Sequence, residues 1–262
     1  MAKLRRRTGH GRTRDTRLQV AVRPGERAAK DLLNSMQKGG SVKHRIFSLL
    51  AVCVVVVGVA FVSAVPAQAA TISARNLLFK LAVHAENGSG YSRSYFGDWR
   101  DANGDCQNTR AEVLITESKV PVTFTSSGHC TVRSGRWYSW YDGKTWTLAS
   151  DVDIDDVVAL KEAWDSGAKS WSATDRSRFH NDLGYAWTLD AVTDNVNSSK
   201  GDSDPAQWLP PLASARCAYA THWVAIKYRW RLSINPAEKT KLASILSGTC
   251  GAKTLAIPPR AR

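Results

Sequence analysis

Apolar and polar positions change their period several times along the chain, and each change marks an element. Residues 46–65 (IFSLLAVCVVVVGVAFVSAV) form an uncharged, mostly apolar run. Residues 70–84 (ATISARNLLFKLAVH) repeat apolar positions at helical spacing, and the Gly/Ser-rich stretch 85–94 reads as a loop. Short β-type runs cover 113–116 and 120–124. Residues 130–141 are aromatic and β-rich, and Asp142-Gly143 is a strong hairpin-turn pair before a strand over 144–148. The pattern then predicts a strand over 152–158, a helix over 159–164 stopped near Gly167, a helix over 173–183, a strand over 187–192, and a short polar helix over 194–200 ending near Gly201.

Asp204-Pro205 and Pro210-Pro211 mark a bend before a long helical pattern over 213–232. Asn235-Pro236-Ala237-Glu238 is a helix start: a capping side chain, proline in the first turn, then an acid for the first amides. That helix runs to about Leu246. No internal repeat is visible. The predicted fold class is α+β, a single disulfide-bonded domain with a β-rich N-terminal half and a helical C-terminal half. The ten tryptophans all lie between Trp99 and Trp230 and are expected to build the core.

Composition excludes some classes. The 262 residues are 43% hydrophobic and 23% charged, unlike a disordered chain, a collagen or a multi-span membrane protein. The net charge of +13 suggests nucleic-acid binding until it is mapped. Residues 1–45 hold 13 Lys and Arg against three Asp and Glu, residues 46–70 hold none, and residues 71–262 hold 23 against 20. The strong basicity belongs to the N-terminus, and the mildly basic remainder argues against very tight non-specific DNA binding.

Lys43, His44 and Arg45 precede the apolar run, and Pro66-Ala67-Gln68-Ala69 follows it with small residues placed for a cut after Ala69. Basic, apolar, small-x-small is the order of a secretory signal. The alternative is a retained anchor at 46–65, because about 20 apolar residues span a bilayer. The expected division is a basic leader at 1–45, a signal segment and cleavage region at 46–69, and a mature domain at 70–262. A start at Met36 would leave an ordinary leader, MQKGGSVKHR, so residues 1–35 read either as misassigned upstream sequence or as a genuine disordered basic extension. The product is expected to be secreted, with no stable membrane association after cleavage. Cys53 would leave with the signal. Cys106, Cys130, Cys217 and Cys250 remain, an even set that suggests two disulfides in an exported chain. Of three pairings, sequence proximity favours Cys106–Cys130 and Cys217–Cys250. No C-x-x-C pair is present, so a structural zinc is not expected.

Two segments carry candidate chemistry. In Asp151-Val-Asp153-Ile-Asp155-Asp156, strand alternation would put Asp151, Asp153 and Asp155 on one face. Like charges so close repel unless a cation or arginine compensates them. The stretch reads either as an exposed acidic edge or as a hard-cation site for Mg²⁺ or Ca²⁺. It lacks the Gly and terminal Glu spacing of an EF-hand loop. In the second segment, a strand runs into a polar helix bearing Asn197 and, one turn later, Lys200. Taken alone this is a turn and helix cap. Beside the acidic strand, a carboxylate and an amide oxygen across the strand–helix corner can share one metal.

DIDDVVALKEAWDSGA (153–168), NDL (181–183) and AVTDNVNSSKGDSDPAQWLPP (191–211) resemble the exported bacterial HNH endonuclease family. DWRDANGDCQNTRAEVLITES (98–118) and WVAIKYRWRLS (223–233) extend the likeness to about residues 91–250. It implies a ββα-metal core that hydrolyses phosphodiester bonds of DNA or RNA, with DNA the first expectation. One divalent cation is implied; oxygen and amide ligands make Mg²⁺ the default, with Mn²⁺ or Ca²⁺ as alternatives, and no small-molecule cofactor is expected. By the same likeness, Asp155 falls on the metal-binding acid and Asn197 on the second metal ligand. Asn181 falls on the middle asparagine, which supports the loop and orients the base. Lys200 is placed to neutralise a phosphate oxygen. Arg110 and Glu112 match positions to which no role is assigned.

One position departs from the family pattern: Asp156 stands where the general-base histidine is expected. A base must take a proton from the attacking water. Imidazole, with a reference pKa near 6.5, suits this task at neutral pH better than a carboxylate, with a reference pKa near 3.9. Asp156 could instead join the metal. His180, next to Asn181, is the nearest histidine by motif, against the plainer reading of a surface or helix-packing residue; His84 is a further candidate, and His129 and His222 look structural. The expected function is therefore an exported metal-dependent HNH-type endonuclease, either active or weakened by Asp156. The alternatives are a non-catalytic member that binds nucleic acid or another extracellular partner, and a disulfide-bonded surface protein with no nucleic-acid role.

Overall fold

A computed structural model describes residues 70–262. The leader 1–45 with its proposed upstream segment 1–35, the signal or anchor segment within 46–69, and Cys53 all lie outside the described residues.

The first described segment is split where one helix was expected. Strand β1 (Thr71–Ser73) pairs antiparallel with β7 (Thr254–Ala256), and only then does helix α1 (Ala74–Leu78) begin. Ser73 makes the turn, its hydroxyl accepting from the Asn76 amide at 3.2 Å. The β-type run at 113–116 is also corrected: Thr109–Glu117 is helix α2. Asn108 caps it by accepting from the Ala111 amide at 3.1 Å, and Glu112 lies in its first turn. A cap and burial of Ala111 and Leu114 at i,i+3 spacing outweigh the β preference of Val113, Ile115 and Thr116. In the 120–124 run, only Thr123–Phe124 forms a strand, β2.

Strand β3 (Val132–Ser139) pairs with β2 on one side and with β4 (Lys144–Leu148) on the other. The predicted Asp142-Gly143 turn joins β3 to β4, with Gly143 at φ +77°, where an L side chain would be strained. Next come β5 (Val152–Asp156), α3 (Leu160–Asp165), α4 (Ala173–His180), β6 (Leu189–Thr193) and α5 (Asp194–Lys200). The two strands form an antiparallel ribbon with Asp155 opposite Asp190 and Asp156 opposite Leu189. Helix α6 (Arg216–Trp230) follows a 3-10 turn at Ala213–Ala215, α7 (Pro236–Ile245) carries the full Asn235/Glu238 capping box, and α8 (Gly248–Ala252) precedes β7.

The ribbon stands between two apolar clusters. The larger surrounds α6, where Tyr219, Trp223, Ile226 and Trp230 pack with Leu77, Phe96, Val157 and Phe179. The smaller gathers Leu114, Trp137, Val152, Ile154, Leu189 and Ala191. The tryptophans only partly meet the core expectation. Trp137, Trp164, Trp171, Trp223 and Trp230 are buried, while Trp99, Trp140, Trp146, Trp187 and Trp208 lie at the cluster margins. A cationic group also enters the core. Lys227, fully buried, bonds Glu162 at 2.5 Å and Glu238 at 2.8 Å. Burial works against its charge, but the two carboxylates outweigh that effect and raise its pKa.

Both disulfides form as proximity predicted, Cys106–Cys130 and Cys217–Cys250. The fold is α+β, as expected, but the two halves are not cleanly segregated: α2 lies in the first half, and β6 and β7 lie in the second.

Candidate functional site

Alternation along β5 sorts its side chains. Val152 and Ile154 enter the smaller core, which directs Asp153 and Asp155 toward the opposite face, where α5 lies. Asp151 falls outside this pattern because it sits in the 3-10 turn Ala149–Asp151 before the strand. Helix α5 follows β6 without a loop and ends where Gly201 takes φ +52°. Asn197 and Lys200, three residues apart, both face β5.

Lys200 donates its ammonium to Asp155 Oδ1 at 2.7 Å and to the Asp156 carbonyl at 2.9 Å. The Tyr141 hydroxyl donates to Asp155 Oδ2 at 2.6 Å. Burial pushes the Asp155 carboxyl up from its ordinary pKa, while Lys200 and Tyr141 pull it back toward the charged form. Asn197 donates through Nδ2 to Asp153 Oδ2 at 3.2 Å, which leaves its amide oxygen as an acceptor. Arg110 lies beneath this strand, donating to the carbonyls of Ala149 and Val152 at 2.8 and 2.9 Å.

Asp156 meets His180. The imidazole Nδ1 lies 3.1 and 3.2 Å from the two carboxylate oxygens, and both side chains are buried. His180 is stacked against Trp99 with ring centroids 3.9 Å apart. Asn181 fixes the segment that carries Trp99. Its Oδ1 accepts from the Arg100 amide at 2.8 Å and from Thr109 Oγ1 at 2.6 Å, and its Nδ2 donates to the Asp98 carbonyl at 3.2 Å. These contacts link Asn181 to Asp156 through Trp99 and His180.

Asp155, Asp156 and Asn197 line one cleft of about 210 Å³, with Arg93 and Asp202 among its other walls. Asn181 is not among them and faces a separate hollow beside Thr109 and Arg229. Lys200 is turned inward against Asp155 and Asp156, so its ammonium does not reach toward a phosphate in the cleft. Tyr141 and Asp153 hold the two candidate metal ligands, and the sequence reading missed both in that capacity. Tyr141 was legible only as a hairpin residue, although Asp153 already stood in the acidic run.

The cleft suits a hard divalent cation in donor type. Asp155, Asp156 and Asn197 among its walls carry oxygen donors of the kind Mg²⁺ and Mn²⁺ accept, although both Asp156 oxygens also meet His180. Lys200 balances much of the Asp155 charge, and each carboxylate oxygen retains further lone-pair capacity beyond its one hydrogen bond. Asp156 and Asp202 supply the remaining negative charge.

Among the described residues, no helix is long and apolar enough to cross a membrane. A protein of the fungus Arthroderma benhamiae, named as an uncharacterized secreted protein, is 43% identical to the chain over 211 residues, covering 80% of this chain and all of the relative. No family profile and no solved structure matches the chain.

Proposed function

The chain belongs to the family of the secreted Arthroderma benhamiae protein, and on that premise we propose that this secreted protein is a metal-dependent endonuclease of the HNH type. Its substrate would be a nucleic acid, with DNA the first to test. The observation that carries this reading is the shared cleft of Asp155, Asp156 and Asn197 at a β-β-α corner. The family resemblance at residues 153–168 and 191–211 assigns metal-binding roles to Asp155 and Asn197.

When bound, the cation would polarise the phosphate and stabilise the leaving oxygen. The chain's own residues do the rest. Asp155 is held by Tyr141 and Lys200, and Asn197 by Asp153, so both oxygen donors are pre-oriented. On this reading Asp156 takes the proton of the attacking water. His180 fixes its carboxylate from the buried side, Trp99 holds His180, and Asn181 is a positioning residue for that assembly. A carboxylate base in place of imidazole lowers the rate, with general-base catalysis typically contributing about 10²–10⁴-fold.

One observation favours a second reading. Both Asp155 oxygens already have partners in Lys200 and Tyr141, an arrangement also suited to a non-catalytic scaffold that only binds nucleic acid. Plasmid cleavage by the exported, oxidised protein separates the two. Nicking that requires Mg²⁺ or Mn²⁺ and stops with EDTA supports the endonuclease. No cleavage by the natural protein, with activity gained in Asp156→His, supports the scaffold that has lost its base.

A further inference from the structure

A second hollow is built by two of the elements that also wall the carboxylate cleft. It is the larger of the two, about 400 Å³, and Tyr95, Trp164, Lys169 and Arg176 are among its walls, which include no acidic side chain. Two elements run from one space to the other. The 3-10 turn Arg93–Phe96 places Arg93 in the cleft and Tyr95 in the hollow. Helix α3 places Leu160 in the cleft and, one turn later, Trp164 in the hollow. These two elements therefore set the hollow beside the cleft along the direction of the 3-10 turn and of α3.

The hollow pairs an aromatic platform with positive charge. The Tyr95 ring lies nearly parallel to Trp164, with centroids 5.3 Å apart and planes 18° apart, and Tyr95 remains 47% exposed. Arg176 braces this stack. Its guanidinium lies 5.8 and 5.6 Å from the two ring centroids and donates to the Tyr95 carbonyl at 3.1 Å. Lys169 is held by neutral acceptors only, Ser89 Oγ at 2.6 Å and Asn87 Oδ1 at 3.2 Å, so no carboxylate among the described residues bonds its ammonium. The neighbouring acid, Asp165, is paired with Lys161.

We infer that this hollow is a subsite for an unpaired nucleotide flanking the bond at the carboxylate cleft, so that the preferred substrate is a single-stranded nucleic acid. This rests on the endonuclease reading for what occupies the cleft. The exposed Tyr95 ring offers a stacking face, and a base can lie on it only outside a duplex stack. Lys169 is placed for the adjoining phosphate and carries the charge such a contact needs. Ring stacking tolerates any base, so the subsite selects strand state and not sequence.

The test is fluorescence anisotropy with short labelled oligothymidylate or oligouridylate against a blunt duplex of equal length, in EDTA so that nothing is cut. The exported, disulfide-intact protein is compared with Tyr95→Ala, Tyr95→Phe and Lys169→Ala, each checked for native thermal unfolding. Single strand of either sugar should bind more tightly than duplex. Tyr95→Ala should weaken single-strand binding on the order of tenfold, the scale of losing one base–aromatic stack, while Tyr95→Phe keeps it. Lys169→Ala should weaken binding and reduce the salt slope by about one. Equal affinity for duplex and single strand, or wild-type affinity in folded Tyr95→Ala, would overturn the inference. The outcomes also separate the two claims. Tyr95-dependent binding by a protein that never cuts retains the subsite and removes the endonuclease; cutting of single strands unaffected by Tyr95→Ala does the reverse.

Discussion

Lys200 lies against Asp155 with its ammonium 2.7 Å from the carboxylate and both side chains buried. The pair joins the end of α5 to β5 and holds the candidate cleft in shape. Removing one partner would leave the other charge buried and uncompensated, a loss of about 3–5 kcal/mol in comparable pairs. Lys200→Met is therefore expected to destabilise the domain by that order, read as a lower midpoint in urea unfolding. Lys200→Ala should behave alike, and a wild-type midpoint in both would show that the pair contributes nothing.

Asn181 acts at a distance from the cleft. Its amide holds the backbone at Asp98 and Arg100 together with the Thr109 hydroxyl. Asn181→Ala is expected to cost about 1 kcal/mol, because the buried Thr109 hydroxyl and the exposed backbone at Asp98 and Arg100 lose a partner. It should also speed tryptic cutting at the exposed Arg100. If the segment is equally resistant in the variant, Asn181 does not hold it.

Glu117 and Asp190 form a second acidic pair, with Asp190 directly opposite Asp155 in the ribbon. Burial raises the Glu117 pKa from 4.5 to about 7, and burial together with Glu117 and Asp155 raises that of Asp190 well above its ordinary value. A carboxyl whose folded pKa is raised favours folding fully below its unfolded pKa, and this contribution is lost as pH rises through the folded value. Wild-type stability should therefore decline between about pH 4.5 and 7 through Glu117. Glu117→Gln retains an acceptor for the Ala191 amide, bonded at 3.1 Å in the wild type, and should flatten that decline. Melting temperatures across this window test it, and parallel curves for both proteins would contradict it.

The disulfides should contribute unequally to where the domain is fastened. Cys217–Cys250 ties the central helix α6 to α8 near the C-terminus, while Cys106–Cys130 closes the shorter loop before β3. Loop-closure entropy gives each about 3–4 kcal/mol. Removing Cys217–Cys250 by a double alanine substitution is expected to lower stability by that order. Unfolding in denaturant, with and without reductant, checks the scale. No difference would show that packing around α6 alone sets it.

Much of the ribbon was legible because its signals are local. Asp142-Gly143 marks a turn by backbone chemistry, β5 and β6 show apolar residues at strand spacing, and Gly201 stops α5 where expected. The run at 113–116 misled because β-branched residues also sit on helices when a cap and an i,i+3 core face are present, as Asn108, Ala111 and Leu114 show. The contact between Asp156 and His180, 24 positions apart, depends on how α4 packs against β5, and no local pattern encodes it. Residue type likewise did not reveal that Lys200 turns inward, since its direction follows from the buried carboxylate it meets.

The most direct measurement is the initial rate of plasmid nicking by the natural protein and by Asn197→Ala, at equal concentration in Mg²⁺ or Mn²⁺, with matched thermal unfolding. If Asp155 and Asn197 form the working cleft, the natural protein nicks and folded Asn197→Ala falls by about 10²-fold or more, the scale of losing one aligned electrostatic stabiliser. Equal nicking rates in the two proteins would contradict a hydrolytic role for this cleft.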